Sequence, residues 1–65
     1  MKNNEMTYDE FVAALPLIDW YYGMSDDGAA YRRGKAQVQR YRDLAIANGD
    51  EWLEAFKLQD EKHKI

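Results

Sequence analysis

The sequence has 65 residues, 12 acidic and 9 basic side chains, a net charge of −3 and no cysteine. A chain of this length forms one small domain with a modest core, and the lack of cysteine excludes disulfides and cysteine-based zinc sites. No segment approaches the roughly 20 apolar residues that a membrane span needs, and no signal-peptide pattern is seen. The sequence therefore predicts a cytoplasmic protein that makes no contact with a membrane.

Hydrophobic residues make up 46% of the chain and charged residues 32%, a balance typical of an ordered globular protein. No segment shows sustained alternation of apolar and polar residues, so no sheet is expected. The predicted fold is all-α: a small bundle of three main helices, with the first helix kinked or broken at Pro16.

The first helix has a clear start signal. Residues 1–6 are polar and without pattern, and are predicted to form a disordered tail. Thr7 and Glu10 have the spacing of a capping box, so the helix is predicted to begin at Tyr8. Pro16 has no backbone N–H to donate and predicts the interruption. The apolar stripe of this helix comprises Tyr8, Phe11, Val12 and Leu15.

The remaining helix boundaries follow from turn and cap residues. The segment after Pro16 is predicted to end at Gly23, and Ser25 to cap a long helix over 26–47. The Asn-Gly pair that ends at Gly49 is predicted to close this helix, with Asp50 capping the last one.

The last helix carries Trp52, Leu53 and Phe56 on one face, and the mostly charged chain after Leu58 is predicted to fray. A single helical domain is therefore expected over 7–62, followed by a short frayed tail, 63–65.

One arc of the long helix carries its small and apolar residues. Gly34 lies on this arc, inside the helix, at a cost of about 1 kcal/mol relative to alanine. It indicates either a local kink or the close approach of another helix through Ala30 and Gly34, and both interpretations are open. The arc comprises Ala30, Gly34, Val38, Tyr41, Leu44 and Ala45.

The long helix also carries a run of basic side chains with no acid between them. Such a run can bind phosphate in a nucleic acid or a nucleotide-like ligand, contact an acidic protein, or form a solvated face. The solvated face is favoured, because the positions spread over about half the helix circumference and the whole chain is acidic. The candidate anion- or nucleic-acid-binding residues are Arg32, Arg33, Lys35, Arg40 and Arg42.

Several large apolar residues fall outside the predicted core stripes. Exposed apolar groups mark an interface when they cluster, and a small chain rich in aromatics is a candidate for self-association into a homo-oligomer. The candidate partner-binding residues are Trp20, Tyr21, Ile46 and Leu58.

Catalytic signatures are missing from the sequence. It has no cysteine nucleophile, no glycine-rich phosphate loop and no metalloprotease motif. His63, between two lysines, is predicted to be solvated. No catalytic residue, cofactor or metal is therefore expected.

These observations favour a small non-enzymatic binding protein that modulates or inhibits a protein partner. Free-standing helical proteins of this size are common among phage and mobile-element accessory genes, which suggests that origin. Two alternatives are open. One is a nucleic-acid-binding protein that uses the basic long helix, although the acidic last helix would be repelled by phosphate. The other is an oligomer that binds a nucleotide-like anionic ligand.

Overall fold

A computed structural model describes residues 6–63 of the chain. Within these residues every regular element is helical and no strand is found, which confirms the predicted all-α bundle of three main helices. The elements are α1 (Tyr8–Ala14), a 3₁₀ turn (Leu15–Leu17), a second 3₁₀ turn (Tyr22–Met24), α2 (Gly28–Asn48) and α3 (Asp50–Lys62).

The beginning and the interruption of the first helix are as predicted. The Thr7 hydroxyl accepts a hydrogen bond from the Glu10 backbone N–H at 3.2 Å, and the Glu10 carboxylate accepts one from the Thr7 N–H at 2.9 Å. The α-helix ends before Pro16, which lies in the 3₁₀ turn, and the chain becomes extended at Ile18. This break lets the following segment cross over α2.

Two boundary predictions between α1 and α2 are wrong. Gly23 does not end a helix but lies within the second 3₁₀ turn. The cap of α2 is Asp27 rather than Ser25: its carboxylate accepts from the Ala29 N–H at 3.0 Å, and the helix begins at Gly28. The Ser25 hydroxyl is already engaged by the Asp27 N–H at 3.2 Å, so it closes the preceding turn instead.

At the turn between α2 and α3, the prediction that Gly49 closes α2 is confirmed, and the prediction that Asp50 caps α3 is wrong. Gly49 has a φ of 110°, a conformation that favours glycine. Asp50 is the first residue of α3 and makes no capping bond; its charge, with that of Glu51, complements the helix dipole.

The predicted fraying after Leu58 is also wrong, because α3 continues to Lys62. Charges of both signs, such as Lys57 and Glu61 one turn apart, are compatible with an exposed helical face. Of the predicted tails, 1–5 and 64–65 lie outside the described residues.

The core forms where α1 and the first 3₁₀ turn pack against the hairpin of α2 and α3. Phe11 and Leu15 are completely buried. The Phe11 ring lies 4.6 Å from the ring of Trp52 and 5.9 Å from that of Tyr41, centroid to centroid. The buried apolar residues are Phe11, Leu15, Ile18, Tyr41, Ala45, Trp52 and Phe56.

Gly34 marks a close approach, which decides between the two interpretations of its position. A Cβ atom placed there would lie 2.4 Å from the Tyr22 Cβ and 2.8 Å from an Asp19 carboxylate oxygen. The approaching element is the short segment before α2 rather than a long helix. The missing side chain therefore lets residues 19–22 lie directly on α2.

Length and apolar character together decide whether a helix can cross a membrane. None of α1, α2 and α3 combines the length and the apolar character that crossing a membrane requires.

Candidate binding surfaces

The first candidate surface is a groove between α1 and α3, hereafter the α1–α3 groove, of about 340 Å³. Val12 on α1 and Leu58 on α3 lie along it and are 37% and 68% exposed, whereas Leu15 at its base is fully buried. The groove therefore joins the core directly to two exposed apolar side chains. Its lining comprises Tyr8, Val12, Leu15, Glu51, Glu54, Ala55, Leu58 and Gln59.

The charged residues that line the α1–α3 groove are all acidic. Glu51 and Glu54 line it, and none of its lining residues is a cation. A smaller neighbouring groove of about 140 Å³ continues along α3 past Leu58 and adds Lys57 and Glu61. Leu58 is thus an exposed apolar side chain in a predominantly acidic setting.

One lining residue has an unsatisfied hydrogen-bond acceptor. The Gln59 side-chain oxygen is buried and has no hydrogen-bond partner. An unpaired buried acceptor costs about 1–3 kcal/mol.

The second surface is a groove of about 450 Å³ between α2 and the segment that crosses it, hereafter the arginine groove. Of the five basic residues of the run, Arg33 and Arg40 line it, and Arg32, Lys35 and Arg42 do not. The structure therefore divides the basic run rather than gathering it on one site. The lining comprises Asp19, Ala30, Arg33, Gly34, Ala36, Gln37 and Arg40.

The third surface is an aromatic groove of about 390 Å³ near the end of α3. Trp20 lines it but is also fixed in the fold: its indole N–H donates to the Leu15 carbonyl at 2.7 Å, and its ring packs 5.3 Å from that of Phe56. Tyr21 is more exposed, at 45%. The lining comprises Trp20, Tyr21, Tyr22, Gly23, Met24, Val38, Asp60 and His63.

The prediction that His63 is fully solvated is wrong. The His63 ring is half-buried and stacks on Trp20, with centroids 5.5 Å apart and planes 6° apart, and Tyr21 meets it edge-on. Its Nδ1 lies 2.8 Å from the Gln59 carbonyl oxygen. The continuous α3 holds the ring against Trp20, a contact that the predicted fraying after Leu58 did not anticipate.

The predicted partner-binding residues do not meet on one surface. Leu58 lies on the α1–α3 groove, Trp20 and Tyr21 line the aromatic groove, and Ile46 is exposed on α2 and lines none of the three. Val12, predicted as a core residue, is the apolar group that accompanies Leu58. Its position beside Phe11, at the edge of the stripe, was the available signal.

Metal-ligating side chains are not gathered in the part of the chain from residue 6 to residue 63, where no group of three or more carboxylates or histidines could hold an ion. The chain matches no family model, and no curated protein and no solved structure matches it.

Proposed function

We propose that this chain is a non-enzymatic binding protein that modulates or inhibits a protein partner, and that it receives the partner in the α1–α3 groove. The main support for the proposal is a pair of exposed apolar side chains, Val12 on α1 and Leu58 on α3. Both line a groove that reaches the core. Apolar side chains grouped in this way are typical of interaction sites.

The occupant that fits is a helix of the partner with an apolar ridge flanked by lysine or arginine. A groove between two helices is the usual receptor for the apolar face of a third. Glu51 and Glu54, with no cation in the lining, favour basic flanks and disfavour acidic ones.

The expected contribution of Leu58 follows from its exposure. Full burial of a leucine side chain contributes about 1.5–3 kcal/mol, and Leu58 is 68% exposed. Covering it therefore contributes about 1–2 kcal/mol, which corresponds to roughly a tenfold change in affinity.

The test uses a synthetic amphipathic peptide with leucines at helical spacing and lysines on both flanks, titrated against Leu58→Asp and Leu17→Asp variants. Leu17 is 83% exposed and lines none of the three grooves, so it is a matched control. We expect Leu58→Asp to weaken binding at least tenfold and Leu17→Asp to leave it unchanged. If the peptide bound only by non-specific attraction of its lysines, both variants would bind it more tightly, because each adds a negative charge to the protein.

A second peptide, with glutamate in place of every lysine, tests the charge argument. It should bind at least tenfold more weakly to the unmodified chain. Equal binding of the two peptides, or equal affinities of the two variants, would contradict the proposal. So would self-association through Leu58 in sedimentation equilibrium, because the occupant would then be a second copy.

A further inference from the structure

The arginine groove is a second site of different chemistry. We propose that it binds a small ligand with two adjacent oxyanion groups, of which a diphosphate is the simplest. This inference does not depend on the α1–α3 groove, which lies on other residues and carries the opposite charge.

The spacing of the lining residues supports the assignment. Arg33, Gln37 and Arg40 follow one another at intervals of four and three residues, so they form one stripe along α2. The two arginines are seven residues apart, a rise of about 10 Å along the helix. Their long side chains can reach a single ligand from opposite ends, and a guanidinium binds an oxyanion through two parallel hydrogen bonds.

Gln37 is held in a position to assist. Its side-chain oxygen accepts a hydrogen bond from the Asp19 backbone N–H at 3.1 Å, which fixes the orientation of the amide. The amide oxygen is therefore engaged, which leaves the two N–H donors of the same group to bond a ligand in the groove. Ala30 and Ala36 complete the wall with small side chains that leave room for the ligand.

Arg33 is the member of the stripe available to an arriving anion. Within residues 6–63 it makes no ion pair or hydrogen bond through its guanidinium, whereas Arg40 has an interaction of its own. A ligand would therefore gain a charge-assisted bond at Arg33 without displacing an internal partner.

Asp19 allows a test in which anion binding becomes tighter rather than weaker. It is the acidic residue of the lining, and its carboxylate lies beside Gly34, where it repels an anion. An Asp19→Asn substitution removes this repulsion and leaves the backbone N–H that holds Gln37. Binding should therefore become tighter by a few-fold, a gain that a general loss of structure cannot produce.

A nucleic acid would use the basic run differently. Its phosphates would contact basic residues outside the groove as well as those that line it, and the affinity would fall with each of these cations that is removed. Arg32 is a matched control for Arg33, because it is the adjacent residue on the same helix, carries the same charge and lies outside the groove.

The experiment is calorimetric titration of inorganic pyrophosphate at low salt, with circular dichroism to verify the fold of each variant. We expect Arg33→Gln to weaken binding by roughly tenfold or more, Arg32→Gln to leave it nearly unchanged, and Asp19→Asn to strengthen it. No binding to the unmodified chain, or equal weakening by both arginine substitutions, would overturn the proposal. So would a single-stranded oligonucleotide that binds more tightly than pyrophosphate and loses affinity equally in both variants.

Discussion

Replacement of Gly34 by alanine tests the packing of the crossing segment on α2, on which the arginine groove depends. Helix propensity alone predicts that Gly34→Ala stabilises the protein by about 1 kcal/mol. The structure predicts the reverse, because the new methyl group would lie 2.4 Å from the Tyr22 Cβ and 2.8 Å from the Asp19 carboxylate. The Tyr22 Cβ is attached to the backbone, so the whole segment must move.

The size of the effect follows from the contacts that would be lost. Overpacking of this kind typically costs 1–3 kcal/mol. Displacement of the segment also strains the edge-on contact of Tyr22 with Tyr31 and the bond from the Asp19 N–H to Gln37. These two strained contacts place the cost in the upper part of that range, at about 2–3 kcal/mol, so subtraction of the propensity gain of about 1 kcal/mol leaves a net loss of about 1–2 kcal/mol. For a domain of this size that lowers the melting temperature by about 5–15 °C.

The assay is thermal and urea denaturation followed by circular dichroism. Gly23→Ala is the control, because a Cβ at Gly23 meets nothing within 4 Å, and its stability should stay within about 0.5 kcal/mol of the original. A Gly34→Ala variant that is as stable as the original chain, or more stable, would refute the close approach.

Four further substitutions test the caps and the core by urea denaturation. Asp27→Ala removes the cap of α2 and should cost about 1 kcal/mol, whereas Ser25→Ala should cost less; the reverse order would restore Ser25 as the cap. Trp20→Phe keeps an aromatic ring but removes the indole N–H bond to Leu15, with an expected loss of about 1 kcal/mol; an unchanged unfolding midpoint would count against that bond. Phe11→Ala empties the centre of the core at a cost of about 3–5 kcal/mol, comparable to the whole stability of so small a domain, so a cooperatively folded variant would contradict the described core.

Local signals in the sequence predicted much of the fold. The capping box at Thr7, the break at Pro16 and the turn at Gly49 each depend on residues close in the chain. The sequence alone could not rank competing caps, since serine and aspartate are nearly equal at that position and a neighbouring turn decided for Asp27. The continuation of α3 past Leu58 was not predicted, because the stacking of His63 on Trp20 that accompanies it is a tertiary contact.

The candidate surfaces were less accessible to sequence reasoning. A helical projection shows on which face of its helix each residue lies. It does not show which other part of the chain packs against that face. Leu58 was recognised as an apolar residue outside the core, but its companion Val12 lies at the edge of a stripe whose centre is buried. The five basic residues were indistinguishable by type, and only the path of the crossing segment separates Arg33 from Arg32.

Docking of a basic amphipathic helix on the α1–α3 groove can be tested by mapping the contact residue by residue. Nitrogen-15-labelled protein would be titrated with the lysine-flanked peptide, and the backbone amide shifts followed by NMR. If the peptide occupies this groove, the largest changes occur at Val12, Ala55 and Leu58, and they saturate together. Largest changes at Tyr21 or Val38, in the aromatic groove, or uniformly small changes over the whole chain, would contradict it.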